Sequence, residues 1–247
     1  MFIEKFKRKI QPLINIYHLC IAILANLRYG FPSRKLTVIG VSGTDGKTTT
    51  THLIHHVLKS YSNKSYMTSS ISAPGLHTTT PNSFTIQKLL KETLSNAGKY
   101  FVIESTSHAL DQNRLWGIKF EVSTITNITF EHLDYHINYL NYIKVKAKLL
   151  INSKISIINK DDKSYEMLAE HLRSKKTRYL TYSLSQKADF NFDSNKELGL
   201  NLAEFNNYNF LAAYSVLKSL KLSDAVITDS FKSFRLPEGR LEKIYDK

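Results

Sequence analysis

Short apolar runs alternate with stretches of helical spacing along this chain. Residues 36–41, 100–104, 122–126, 155–159 and 178–182 are rich in Val, Ile, Phe and Tyr, which predicts strands. Between them, residues 50–60, 84–96, 140–151, 165–173 and 207–220 repeat their apolar positions every three or four residues, which predicts helices. Strand and helix in alternation predict an α/β fold, a mostly parallel sheet with helices on both faces. Ligands of such sheets bind beyond the carboxyl ends of the strands, so residues that directly follow strands are the candidates for chemistry.

Ahead of the first strand, residues 13–27 form an apolar stretch behind a basic lead at positions 5–9. Asn15, His18 and Asn26 interrupt it, whereas a bilayer-spanning helix needs about 20 apolar residues and a signal sequence ends in a small-residue cleavage site. The pattern predicts an N-terminal amphipathic helix docked on the domain, with peripheral membrane contact as the alternative. Residues 30–33 and 237–239 have the composition of joints, which divides the chain into an N-terminal helix (1–34), a main domain (35–236) and a terminal stub (237–247).

The first strand runs into Gly43, Thr44, Asp45, Gly46, Lys47, Thr48 and Thr49, and then into a helix. This is the build of a phosphate-binding loop. Glycines let backbone N–H groups converge on phosphate oxygens, the helix adds the positive end of its dipole, Lys47 neutralises charge and Thr48 offers a hydroxyl to Mg2+. Val41 stands where the usual six-spaced motif has its first glycine, so only the shorter Gly43 to Thr48 core is present. The expected ligand is a nucleoside triphosphate.

Composition narrows the setting. With 42% hydrophobic residues in 247, the chain can bury a large core. Its one cysteine, Cys20, leaves no internal disulfide and predicts a reducing compartment, the cytoplasm. A net charge of +13 suits polyanionic partners in general. The basic residues are dispersed and no RNP-type aromatic motif occurs, so nucleic acid is not an expected partner.

Two further polar stretches follow predicted strands. Glu104 ends the second and leads into Ser105 to Arg114; a carboxylate there, beside a phosphate loop, is a hard-oxygen Mg2+ ligand. After the third come residues 126–136, where His132 and His136 stand four apart. By spacing alone they can pair on a metal, although such a pair is more often structural. His108 is equally open between a cleft position and a packed core histidine.

Taken together, residues 43–49 (GTDGKTT), 79–81 (TTP), 104–114 (ESTSHALDQNR), 126–136 (TNITFEHLDYH) and 159–162 (NKDD) stand in an order that resembles the central domain of the Mur ligases, over residues 36–240. The likeness is greatest to members that add diaminopimelate or lysine as the third residue of a UDP-N-acetylmuramoyl-peptide. It implies an ATP-dependent carboxylate-amine ligase of peptidoglycan precursor synthesis. On that resemblance, Gly43 to Thr49, Asn209 and Arg240 contact ATP, and Thr48 and Glu104 hold one Mg2+. His132 and Lys146 hold a second, Lys146 as a carbamate. Thr79, Thr80, Thr106, Gln112 and Arg114 contact the UDP-muramoyl-peptide. Lys47, Glu104, His132 and Lys146 form the catalytic set.

The chain departs from the family pattern at Glu131, at Ser105-Thr106 and at the inserted Glu238 before Arg240. Family members also carry an N-terminal domain for the uridine and a C-terminal domain for the incoming amino acid, and the expectation here is a shortened chain whose C-terminal part is missing or supplied by a separate chain. The alternatives are another ligase of the superfamily, such as a folylpolyglutamate synthase, a non-catalytic nucleotide-binding subunit or remnant, and a simple phosphohydrolase.

Overall fold

The computed structural model describes residues 2–71, 79–130, 133–136 and 138–236. Six strands, β1 (Thr37–Ser42), β2 (Ser65–Thr68), β3 (Tyr100–Glu104), β4 (Phe120–Ile125), β5 (Ser153–Asn159) and β6 (Leu180–Tyr182), form one sheet in the order β2-β3-β1-β4-β5-β6. All pairings are parallel. Around it lie α1 (Phe2–Tyr29), α2 (Lys47–Ser62), α3 (Ser83–Ser95), α4 (Ser107–Asp111), α5 (Leu133–His136), α6 (Tyr139–Ile151), α7 (Tyr165–Ser174), α8 (Ser194–Leu198), α9 (Glu204–Ser219) and α10 (Asp224–Ser233).

The two-residue period of the strands assigns neighbours to opposite layers. Ile39, Val41, Val102, Val122 and Ile157 point to a layer built by Leu53, Ile54, Val57 and Leu58 of α2, Phe210 to Leu217 of α9, and Ile227 and Phe231 of α10. Val38, Phe101, Ile103 and Phe120 point the other way, to Ile86 and Leu90 of α3 and to Val145 and Leu149 of α6. Ile125 and Ile158 complete that side with Ile143 of α6 and Leu168 of α7. Each fully buried aliphatic side chain contributes about 1.5–3 kcal/mol.

Gly40 sets the depth of α6. A side-chain carbon there would come within 2.7 Å of Leu149 Cδ1 and of Ser123 Oγ, so only glycine lets α6 settle onto β1. Lys146, one turn before Leu149, is thereby brought to the end of β1. The N-terminal helix docks as expected: Ala22, Ala25 and Asn26 are buried, and Tyr29 meets Phe84 of α3 edge to face. A left-handed Phe31 and a 3-10 turn, Pro32–Lys35, form the joint to β1.

The expected strands are present with shifted ends, and β2 is an addition. Its sequence, Ser-Tyr-Met-Thr, lacks an apolar run because it is a short edge strand with two half-exposed positions. Helix α10 is also additional; its fully buried apolar residues are Ile227 and Phe231, at i, i+4, a signal too short to stand out in the sequence. The joint predicted at 237–239 lies outside the described residues.

Candidate functional site

Strand β1 has β3 and β4 as its neighbours, so the segments leaving the carboxyl ends of three adjacent strands converge. The loop after β1 is clamped from both sides. Ser105 N–H donates to the Val41 carbonyl (2.7 Å) and Thr126 N–H to that of Ser42 (2.9 Å). Thr44 N–H donates to the Asn127 carbonyl (2.9 Å), and Asp45 N–H to Asn127 Oδ1 (2.9 Å).

Two glycines make the cradle. Gly43 (φ 151) has Thr126 Oγ1 only 1.8 Å from where a side-chain carbon would lie, and Gly46 (φ 76) has Asn209 Oδ1 at 2.0 Å. Any side chain would fill the loop and collide, and L-residues disfavour these angles besides. Gly46 is also the cap of α2 and offers no side-chain acceptor to its first turn, which has no acidic residue of its own, so the N–H groups of the helix start face the loop. Asn209 of α9, predicted to touch nucleotide, therefore packs directly on the loop. Lys47 Nζ donates to the Thr44 carbonyl, folded back over the loop. Thr49, in the first turn of α2, is buried beneath it.

Glu104, at the end of β3, is 1% exposed. Its Oε1 accepts from Thr48 Oγ1 at 2.9 Å, and its Oε2 accepts from Ser70 N–H at 3.0 Å. Ser70 Oγ lies 3.0 Å from Thr48 Oγ1. Two hydroxyls and a carboxylate thus meet at the helix start, an all-oxygen donor set that suits a hard divalent cation. Ser70 is a site residue the sequence did not disclose, because the strand it follows, β2, was not itself predicted.

Lys146 is 1% exposed, donates from Nζ to the Gly43 carbonyl and sits 4.6 Å from the centre of the Tyr142 ring. Tyr142 Oη is 3.3 Å from Thr44 Oγ1, and His136 packs 4.8 Å from the Tyr142 ring. Lys146, Thr44 and His136 therefore occupy one corner of the loop. His132, its predicted companion, and Arg240 lie outside the described residues.

The predicted peptide-contacting residues form a second cluster behind Glu104. Thr80 Oγ1 donates to the Glu104 carbonyl (2.9 Å) and accepts from Thr106 N–H (2.9 Å). Arg114 donates from Nη1 to the Thr80 carbonyl (3.2 Å) and from Nε to Gln112 Oε1 (2.9 Å). Thr79 precedes Thr80 and is half-buried. Tyr135 Oη donates to Asp111 Oδ2 (3.0 Å), and its ring lies 4.2 Å from that of His108. Burial pushes the Tyr135 phenol upward, with the Asp111 charge adding to it, so Tyr135 stays a neutral donor. His108 packs in this cluster, its ring 5.8 Å from that of His136.

On the outer side of the loop, Asp161 gathers Ser183, Ser185, Gln186 and Tyr208 and the Leu184 N–H. Burial alone would raise its pKa; hydrogen bonds from Ser185, Ser183, Gln186 and Leu184 outweigh that and hold it near 2. Asp162 Oδ1 accepts from the Ile128 N–H (3.2 Å) and steadies the segment after β4. Asn159, whose Nδ2 donates to the Thr126 carbonyl (3.2 Å), and Asp162 thus brace the segment after β4.

The Mur ligase middle domain model matches residues 41–217, which spans this whole arrangement. The chain belongs to the Mur ligase family. Among its Mur ligase relatives, UDP-N-acetylmuramoyl-L-alanyl-D-glutamate–2,6-diaminopimelate ligase of Thermosynechococcus vestitus is 34% identical over 90% of this chain and 50% of its own length. UDP-N-acetylmuramyl-tripeptide synthetase 2 of Oceanobacillus iheyensis is 32% identical over 91% of this chain and 52% of its own. A solved UDP-N-acetylmuramoyl-L-alanyl-D-glutamate–2,6-diaminopimelate ligase superposes with a TM-score of 0.73 at 26% identity, covering 86% of this chain and 49% of that one. The chain spans about half the length of these Mur ligases.

Proposed function

We propose that this chain is the nucleotide-handling part of an ATP-dependent ligase that joins the carboxylate of a UDP-N-acetylmuramoyl-peptide to an amino acid in the cytoplasm. The observation that carries the reading is the Thr48 hydroxyl on the Glu104 carboxylate at 2.9 Å, at the mouth of a glycine cradle that no side chain can enter. Oxygen donors of that kind fit Mg2+, and the open start of α2 fits phosphate. Thr48 and Glu104, with Ser70 beside them, would hold one Mg2+; Lys146 as a carbamate would hold a second together with His132. Bound Mg2+ supplies charge neutralisation for the phosphoryl group in transfer.

The chain's own groups do the positioning. Lys47 offsets the charge of the terminal phosphates, and the first-turn N–H groups of α2 fix their place. Arg114, held by Thr80 and Gln112, presents a cation next to Glu104 for the peptide carboxylate, with Thr79 and Thr106 lining its approach. The carboxylate takes the γ-phosphoryl group, ADP leaves, and the resulting acyl phosphate loses phosphate when the amine attacks. The relatives' remaining half is where we place amino-acid binding, in the same polypeptide or on a separate chain.

Calorimetric titration of ATP with and without Mg2+ tests the metal reading. Wild type should bind ATP at least tenfold more tightly with Mg2+, and Glu104→Gln should lose most of that gain. Steady release of phosphate from ATP without muramoyl-peptide or amino acid would instead identify a phosphohydrolase and overturn the ligase.

A further inference from the structure

We propose that α1 is a membrane-surface anchor that lies in the plane of an anionic bilayer. Leu13, Ile16, Tyr17, Leu24 and Leu27 are 55–67% exposed, and Cys20 is exposed with them. Positions 13, 16, 17, 20, 24 and 27 are separated by three or four residues or by one, which places them on one helical face. A continuous stripe of large apolar side chains is more than the scattered exposure a soluble surface carries by chance.

The opposite face is already used. Ala22, Ala25 and Asn26 are buried; Asn26 Nδ2 donates to the Trp116 carbonyl (2.9 Å), and Asn15 Nδ2 donates to Asp111 Oδ2 (3.2 Å). Residues Ile10–Tyr29, 20 in number with mean hydropathy 1.5, are long enough to cross a membrane. Crossing would strip Asn15 and Asn26 from these partners and carry them into hydrocarbon, so the docked helix lies along a surface.

Three occupants suit an apolar stripe, a second copy of the chain, the half of the ligases' length that this chain does not span, or a bilayer, and charge favours the bilayer. The chain carries +13, and α1 has basic positions 5, 7, 8 and 9 against one acidic position, 4, in its first turns, with Arg28, Arg34 and Lys35 at and beyond its end. Pairing two such helices brings like charges together, whereas anionic headgroups neutralise them. Trp116, 42% exposed beside Asn26, and Tyr17 are residue types that settle at headgroup level. A cavity of about 470 Å³ opens next to Trp116, with Arg34 and Lys119 around Leu115 and Phe120 and with Lys148, which pairs with Asp111 at 3.6 Å, at its edge. Cations over an apolar floor fit a lipid phosphate and the first carbons of its chains.

Flotation of the full chain with phosphatidylglycerol/phosphatidylcholine vesicles, against phosphatidylcholine alone, tests the anchor. Expected are binding to the anionic vesicles only, a loss of about tenfold when salt rises from about 0.1 to about 0.5 M, and a similar loss in the double variant Ile16→Glu/Leu24→Glu. Both positions face solvent, so the variant should melt like wild type. Absence of binding to anionic vesicles, or equal binding to neutral ones, overturns the proposal. So does a dimer in sedimentation without lipid that the double variant splits, which would assign the stripe to a second copy.

Discussion

Helices α1 and α2 are both amphipathic, yet they attach to the molecule by opposite means. Helix α2 buries Leu53, Ile54, Val57 and Leu58 completely against the sheet. Helix α1 leaves Leu13, Ile16, Tyr17, Leu24 and Leu27 outside, half-buries Ile14, Leu19, Ile21 and Ile23, and inserts Ala22, Ala25 and Asn26 completely. The difference lies in what each helix must hold. The start of α2 closes the glycine cradle, whose contacts with Glu104 and Asn209 tolerate little displacement, and large side chains in a close-packed layer fix its height and rotation. Helix α1 carries no loop residue. Small side chains let it approach, polar ties through Asn15 and Asn26 orient it, and its apolar surplus stays available. Burial of the larger hydrophobic residues thus marks where rigidity is needed rather than where the sequence is most apolar.

The sharpest way to break the α2 side is Gly46→Ala. A methyl group there would lie 2.0 Å from Asn209 Oδ1 with φ at 76°, so the loop or α9 must move. We expect a loss of at least about 2 kcal/mol in stability, combining left-handed strain with overpacking, and a fall in ATP affinity of tenfold or more. Gly199→Ala is the internal control. Its φ is 65° but nothing stands within 4 Å of the new carbon, so it should cost only about 1 kcal/mol and leave ATP binding unchanged. Urea denaturation and nucleotide titration of the pair separate collision from strain; equal losses would remove the Asn209 contact from the argument.

A smaller, pH-dependent effect should also belong to α2. His55 Nδ1 lies 2.9 Å from Ser65 Oγ at the start of β2. Burial, then the charges of Lys59, His52 and His56, depress its pKa from 6.5 to about 4. His52, 2.9 Å from Ser69 Oγ, is lowered by burial as well. Below pH 6.5 the unfolded chain takes up a proton at His55 that the folded chain refuses until about pH 4. This contribution to stability is therefore fully present above pH 6.5 and is lost as pH falls towards 4, on the order of 1–2 kcal/mol by pH 5. His55→Gln should flatten the fall in urea midpoint between pH 7 and 5. An unchanged slope would mean that His55 titrates alike in both states.

The sequence exposed the α2 side well and the α1 side poorly, for physical reasons. A glycine loop between a buried strand and a helix has a local signature, as does a carboxylate ending a second buried strand, so Gly43, Gly46, Thr48 and Glu104 could be named before their distances were known. Lys146 and Asn209 came from family resemblance alone, because their place at the loop depends on how closely α6 and α9 pack, which Gly40 and Gly46 permit from a distance in sequence. Ser70 was hidden because an edge strand of four residues with mixed burial carries little periodic signal. For α1 the apolar spacing revealed a helix, but no local pattern separates the face that docks from the face that does not; the alanines and Asn26 acquire meaning only beside Trp116 and Gly117.

The smallest effect should come from α1, where substitutions should divide by face. Asn26 Nδ2 bridges the Ala22 and Trp116 carbonyls at 2.8 and 2.9 Å, and its amide fills the space over Gly117, where a side-chain carbon would meet it at 2.7 Å. Asn26→Ala removes a fully buried amide and its part-buried hydrogen bond to the Trp116 carbonyl and should cost about 1 kcal/mol. Leu24→Gln, two residues away on the 55%-exposed face, removes more apolar surface yet should change stability by no more than about 0.5 kcal/mol. Thermal melts of both variants at one pH give the comparison directly. If Leu24→Gln proved the costlier, its side chain would be buried in solution, by a second copy or by chain elsewhere, and α1 would have to be regarded as a core helix like α2.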